Sequence, residues 1–148
     1  MTNRKSLSIS LAILGVVIIL FSIGSSILTK NVFGIPAGNL MIWFGFIALQ
    51  TATYALNNGF KASNSIFGKL LRSLMYFIIV LSIMWFGIAY ILAGNASFNF
   101  SSDATGFLGS PKASILHWNI IYLLVIMPIA LMTAYRILRL YERLKDRN

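Results

Sequence analysis

Apolar residues gather in four long blocks, at 8–28, 36–56, 70–93 and 114–134, parted by short polar or glycine-containing segments. Within these blocks only Arg72, near the start of the third, carries a charge. At 1.5 Å rise per residue, about 21 residues make a helix of about 31 Å, the thickness of a bilayer's hydrocarbon core. The pattern predicts an all-α integral membrane protein with four transmembrane helices. The short connections between blocks predict an antiparallel up-down bundle.

The block edges carry helix punctuation. Pro36 stands where the second helix should begin, and Ser110-Pro111 does the same ahead of the fourth, with Ser110 as cap. Asn57-Asn58-Gly59 and Gly94-Asn95 supply residues that tolerate left-handed backbone where the second and third helices should end. The first block, following Arg4-Lys5 and containing Ser22-Ile23-Gly24, has some features of a cleavable signal peptide. Its apolar run continues through Ile27-Leu28, which favours a retained signal-anchor helix.

Polar positions inside the blocks are ordered. In the second, Asn39, Trp43, Phe46, Gln50, Thr53 and Asn57 follow one another at steps of 4, 3, 4, 3 and 4, which places them on one helical stripe. A glutamine amide at mid-membrane needs a protein partner, because hydrocarbon offers none. The stripe therefore reads as a helix-packing seam. The fourth block offers Asn119, Tyr122, Ile126, Ile129, Thr133 and Arg136; the first offers Gly15, Ile19, Ser22 and Ser26; the third offers Ser82, Phe86, Ala89 and Ala93. Such small and polar faces read as bundle or subunit contacts. Pro128 should free the carbonyl near Leu124 and kink the fourth helix.

Charge orients these helices. Ten basic residues (Arg4, Lys5, Lys61, Lys69, Arg72, Arg136, Arg139, Arg143, Lys145, Arg147) fall on one side and two (Lys30, Lys112) on the other, together the 12 Lys and Arg of the chain. By the positive-inside rule both termini are cytoplasmic, the 29–35 and 94–113 loops face outward, and the plasma membrane is the expected location. This placement assigns the net charge of +9 to topology and not to nucleic acid. Composition agrees with lipid as the solvent: 58% hydrophobic residues, 10% charged, and a mean hydropathy of +0.83.

Chemistry is sparse. With no cysteine, the chain has no disulfide or thiolate site. The acids Asp103, Glu142 and Asp146 all lie outside the apolar blocks, whereas ion-coupled carriers place an ionisable group mid-span. His117, the sole histidine, is expected at the interface beside Trp118; its other reading is one ligand of a metal shared with another subunit. Trp43, Trp85 and Trp118 are expected to form an aromatic belt on the outer side. The loop after the third span holds two glycosylation sequons, at Asn95 and Asn99, and its Phe98, Phe100, Phe107 and Leu108 should lie on the membrane surface or on a partner. The segment from 135 to 148 extends the fourth helix as a basic amphipathic tail. Its Arg136, Arg139, Arg143, Lys145 and Arg147 should meet anionic lipid headgroups or an acidic partner surface.

No reactive constellation emerges, and no cofactor is expected. The sequence points to a non-catalytic accessory subunit of a larger membrane complex, of the kind found in respiratory oxidases or membrane monooxygenases. The alternatives are a small transporter or channel lined by the second-span stripe, and a subunit sharing a metal through His117. Other integral-membrane subunits and anionic lipids are the expected partners.

Overall fold

The computed structural model describes residues 2–60, 65–100 and 106–145. Of these, 82% are helical. The four long helices are α1 (Thr2–Ser22), α2 (Ala37–Leu56), α3 (Ile66–Ala93) and α4 (Pro111–Lys145), and each is long and apolar enough to cross a membrane.

Local chemistry sets the ends of these helices. The first apolar block runs to residue 28, yet α1 stops at Ser22. Gly24 takes a left-handed φ of 57°, and the Ser25 hydroxyl accepts from the Ile27 amide at 3.2 Å to start a separate 3-10 turn, Ser26–Thr29. Serines and glycine here compete with the helix for its own backbone bonds. Two short antiparallel strands follow, β1 (Asn31–Val32) and β2 (Ile35–Pro36), with Asn31 opposite Pro36. Phe33 and Gly34 both adopt positive φ between them, the twist that a two-residue hairpin requires. Pro36 is thus the cap ahead of α2 and not its first residue.

The second helix ends on a run of three left-handed residues, Asn58, Gly59 and Phe60, which turns the chain sharply. The third begins at Ile66, four residues before its apolar block, because Ser65 caps it by accepting from the Gly68 amide at 3.1 Å. Gly94 closes it in the left-handed cap, donating to the Tyr90 carbonyl at 2.9 Å. Ser110 caps α4, which then runs unbroken through Pro128 to Lys145, so the basic tail is one helix with the fourth apolar block.

The central helix is α2, with 44% of its most apolar window buried against 6% for α1. It presses against α3 and α4, and their shared core contains Phe46, Phe60, Met75, Ile78, Trp85, Leu124 and Tyr135. On its flank it holds α1. Gly45 faces that helix, where a Cβ would make ordinary van der Waals contact with Val17 at 3.5 Å. Contacts sort the molecule into two ends. At one, Asn39 of α2, Ala96 just past α3 and His117 of α4 gather. At the other, Phe60 meets Tyr135 of α4 at 4.6 Å between ring centroids and Arg72 of α3 through a 2.8 Å bond.

Candidate functional site: a polar seam and a basic pocket

The α2 stripe forms a seam inside the three-helix core. Asn39, Gln50, Thr53 and Asn57 are all buried. Asn39 Nδ2 donates to the Ala96 carbonyl at 2.8 Å, and Gln50 Nε2 donates to the Leu124 carbonyl, also at 2.8 Å. Trp43 adds a bond from its indole nitrogen to the Ile83 carbonyl at 3.0 Å. Each of these side chains ties α2 to the backbone of a different neighbour. Thr53 and Asn57 bond within α2 itself, to the carbonyls of Leu49 and Thr53. Such bonds contribute roughly 0.6–2 kcal/mol each in a lipid setting. Asn39 Oδ1 and Gln50 Oε1 find no hydrogen-bond partner among the described residues.

The corresponding stripe of α4 faces away from this core. Asn119, Tyr122 and Thr133, expected as bundle or subunit contacts, are exposed and so take no part in the packing of this bundle; Ile126, Ile129 and Arg136 are exposed as well. The face of α4 that packs inward is His117, Leu124, Pro128, Leu131 and Tyr135. The Gln50 bond to the Leu124 carbonyl lies on this inward face, together with the core side chains Leu124, Leu131 and Tyr135. In α1 the Gly15–Ile19–Ser22 stripe also faces out, with nothing within 4 Å of a Cβ placed on Gly15. The α3 stripe faces the core, with Ser82, Ala89 and Ala93 fully buried.

His117 is not an interfacial residue. It is 1% exposed, ringed by Trp85, Phe98, Phe107 and Trp118 at centroid separations of 5.4–6.0 Å. Neither ring nitrogen meets a partner among the described residues, and among those residues no three His, Cys, Asp or Glu side chains converge to hold a metal. The cause is the segment after α3, which folds back over this end of the core. Phe98 is buried between Trp85 and Phe86, and Phe100 sets its ring edge-on to Phe21 of α1 at 5.3 Å. The expectation that Phe98 lies on a membrane surface or partner is corrected accordingly; Phe100 and Phe107 are half-buried, and Leu108 is widely exposed. Trp85, for the same reason, belongs to the core and not to an aromatic belt.

Asn95 fastens this fold-back. Its Nδ2 donates to the Gly106 carbonyl at 2.9 Å while its Oδ1 accepts from the Ser97 amide at 2.7 Å. Nδ2 is the atom a glycan would occupy, so attachment at Asn95 conflicts with the folded loop. Asn99 is half-buried, and Ser101, needed for its sequon, lies outside the described residues. Asn99 and Phe100 roof an apolar groove of about 530 Å³ whose walls are Val17 and Phe21 of α1, Gly45 of α2 and Trp118 of α4.

The opposite end carries a second cavity, of about 340 Å³, between the end of α2 and the tail of α4. Arg136, Arg139 and Arg143 line one wall and Asn57 and Asn58 the other, with Leu56 and Leu140 at the rim. Arg139 pairs with Glu142 at 3.2 Å. Lys145 is exposed beyond the pocket, while Arg147 lies outside the described residues. The grouping of the arginines follows from helical steps of three and four along α4; the Asn wall was not legible from either segment alone.

No protein-family model, curated protein or solved structure matches this chain.

Proposed function

We propose that this chain is a non-catalytic subunit of a larger membrane complex, spanning the plasma membrane four times in up-down order with both termini in the cytoplasm. The observation that carries the reading is where its interior chemistry ends. The side-chain donors of Asn39, Trp43 and Gln50 tie α2 to the segment after α3, to α3 and to α4, while α1 and α4 turn other faces outward. Ile9, Val16, Ile18 and Ile19 of α1 are exposed, and so is Asn119 on α4, while the exposed Thr133 satisfies its hydroxyl on the Ile129 carbonyl of its own helix at 2.9 Å. An amide facing hydrocarbon finds no partner, whereas a neighbouring helix supplies one.

Two other readings fit less well. A transport path along the α2 stripe would need Asn39 and Gln50 open to water, yet both are fully buried and bonded to neighbouring backbone. A metal shared through His117 would need that ring to reach another subunit through the aromatic side chains around it.

Purification of the tagged chain from its native membranes in mild detergent tests the reading. Stable, stoichiometric co-purifying membrane subunits are the expected result. A lone homo-oligomer that moves a solute in reconstituted vesicles would replace the subunit reading with the transporter.

A further inference from the structure

The basic pocket sits at the boundary between apolar and charged chain. Arg136 lies two residues past the end of the fourth apolar block, and Leu56 is the last residue of α2. Arg136, Arg139 and Arg143 recur at steps of three and four, so a single side of α4 presents all three to the cavity. No Asp or Glu among the described residues lines it, and Arg139 pairs with Glu142 at 3.2 Å. Across from them stands Asn58, exposed and held outward by its left-handed backbone, φ 49°. Leu56 at 45% and Leu140 at 59% exposure give the rim an apolar lip.

We infer that this cavity is a binding site for the phosphodiester headgroup of an anionic glycerophospholipid. The planar donor fork of arginine matches phosphate oxygens, and the amide of Asn58 adds a neutral donor for a polar headgroup. The apolar lip suits the glycerol ester region, and a volume of about 340 Å³ admits a headgroup but not a folded partner segment. A soluble phosphate would satisfy the arginines and leave Leu56 and Leu140 bare, which favours the lipid. The inference rests on the membrane setting proposed above and on no partner subunit.

The test uses the full chain reconstituted in vesicles of phosphatidylcholine with or without phosphatidylglycerol, followed by native mass spectrometry of lipid retained after detergent extraction. Wild type should retain phosphatidylglycerol over phosphatidylcholine. Arg136→Gln with Arg143→Gln should lower that preference about thirtyfold, from about 1 kcal/mol for each of the two basic residues near a charged surface. The control, Arg4→Gln with Lys5→Gln, removes the same formal charge at the start of α1 and should keep the preference. Arg136→Lys with Arg143→Lys conserves charge and should fall between, because an ammonium lacks the fork; it carries the test if the glutamine pair fails to fold. Equal loss in the control would overturn the site in favour of diffuse surface charge. Displacement of the lipid by millimolar glycerol phosphate would overturn it in favour of a soluble phosphate. Failure of the wild-type chain to float with any vesicle would overturn the membrane setting itself, whereas flotation without lipid preference would overturn the site alone.

Discussion

Gln50 donates through Nε2 to the Leu124 carbonyl at 2.8 Å, and that carbonyl is open because Pro128, four residues later, has no amide hydrogen to offer it. A side chain of α2 thus occupies the vacancy that proline creates in α4. The two irregularities, an amide in an apolar helix and a proline in the middle of another, satisfy one another.

Gln50→Leu should therefore destabilise the fold by about 1 kcal/mol, through loss of one interhelical hydrogen bond. The same change in a Pro128→Ala background should cost less, because the restored amide at 128 then serves Leu124 within its own helix. A double-mutant cycle read by thermal or detergent denaturation measures the difference. Equal costs in both backgrounds would mean that the proline and the glutamine are unrelated.

This pair also marks what the sequence could reveal. Gln50 needed a partner and Leu124 needed a donor, and both needs were legible from hydropathy and from the chemistry of proline. The four helices were equally plain, since run length and absence of charge are local properties. The orientation of α4 was not. Asn119, Tyr122 and Thr133 form as good a stripe as Asn39, Gln50 and Thr53, and periodicity alone cannot say which face turns inward. The fold-back of Phe98 over His117 was hidden for another reason: it depends on the Asn95 bonds and on Leu108 returning its amide to the Ala93 carbonyl at 3.0 Å. Loop contacts of this kind leave no period to read. Small residues on α1 predict a packing face there, yet a Cβ on Gly15 would meet nothing within 4 Å, and it is Gly45 of α2 that faces Val17 of α1.

Topology offers a direct measurement, because the chain has no cysteine to confuse it. Single cysteines at Leu108 and at Lys145, both exposed, sit near opposite ends of the described chain's last helix. In intact cells an impermeant thiol reagent should label Leu108→Cys and spare Lys145→Cys until the membrane is opened. Labelling of both from outside would contradict a cytoplasmic C-terminus.

Gly38 is held to glycine by its neighbours. A Cβ there would lie 2.5 Å from Phe100 Cγ and 3.0 Å from the Leu28 carbonyl oxygen, so the aromatic roof of the apolar groove would have to lift. Gly38→Ala should cost about 1–3 kcal/mol of stability by overpacking. Adding Phe100→Ala should cost less than the two changes do separately, since the ring is the main obstacle. Strict additivity would show that the loop does not rest on α2.

His117 tests whether the aromatic surround is packing or chemistry. The ring is 1% exposed, and neither nitrogen has a hydrogen-bond partner among the described residues. A side chain so placed stabilises through volume, so His117→Ala should cost about 2–4 kcal/mol by leaving a cavity among Trp85, Phe98 and Phe107. His117→Leu restores most of that volume and removes two buried polar atoms, so it should lie within about 1.5 kcal/mol of the native chain. Any complex containing the leucine variant should keep its specific activity, counted per assembled complex so that assembly defects do not pass for catalytic ones. If leucine proved as damaging as alanine, the imidazole nitrogens would have to be making bonds of their own. If instead assembly and stability held while specific activity collapsed, His117 would be a ligand or proton carrier, and the non-catalytic reading of this subunit would fail with it.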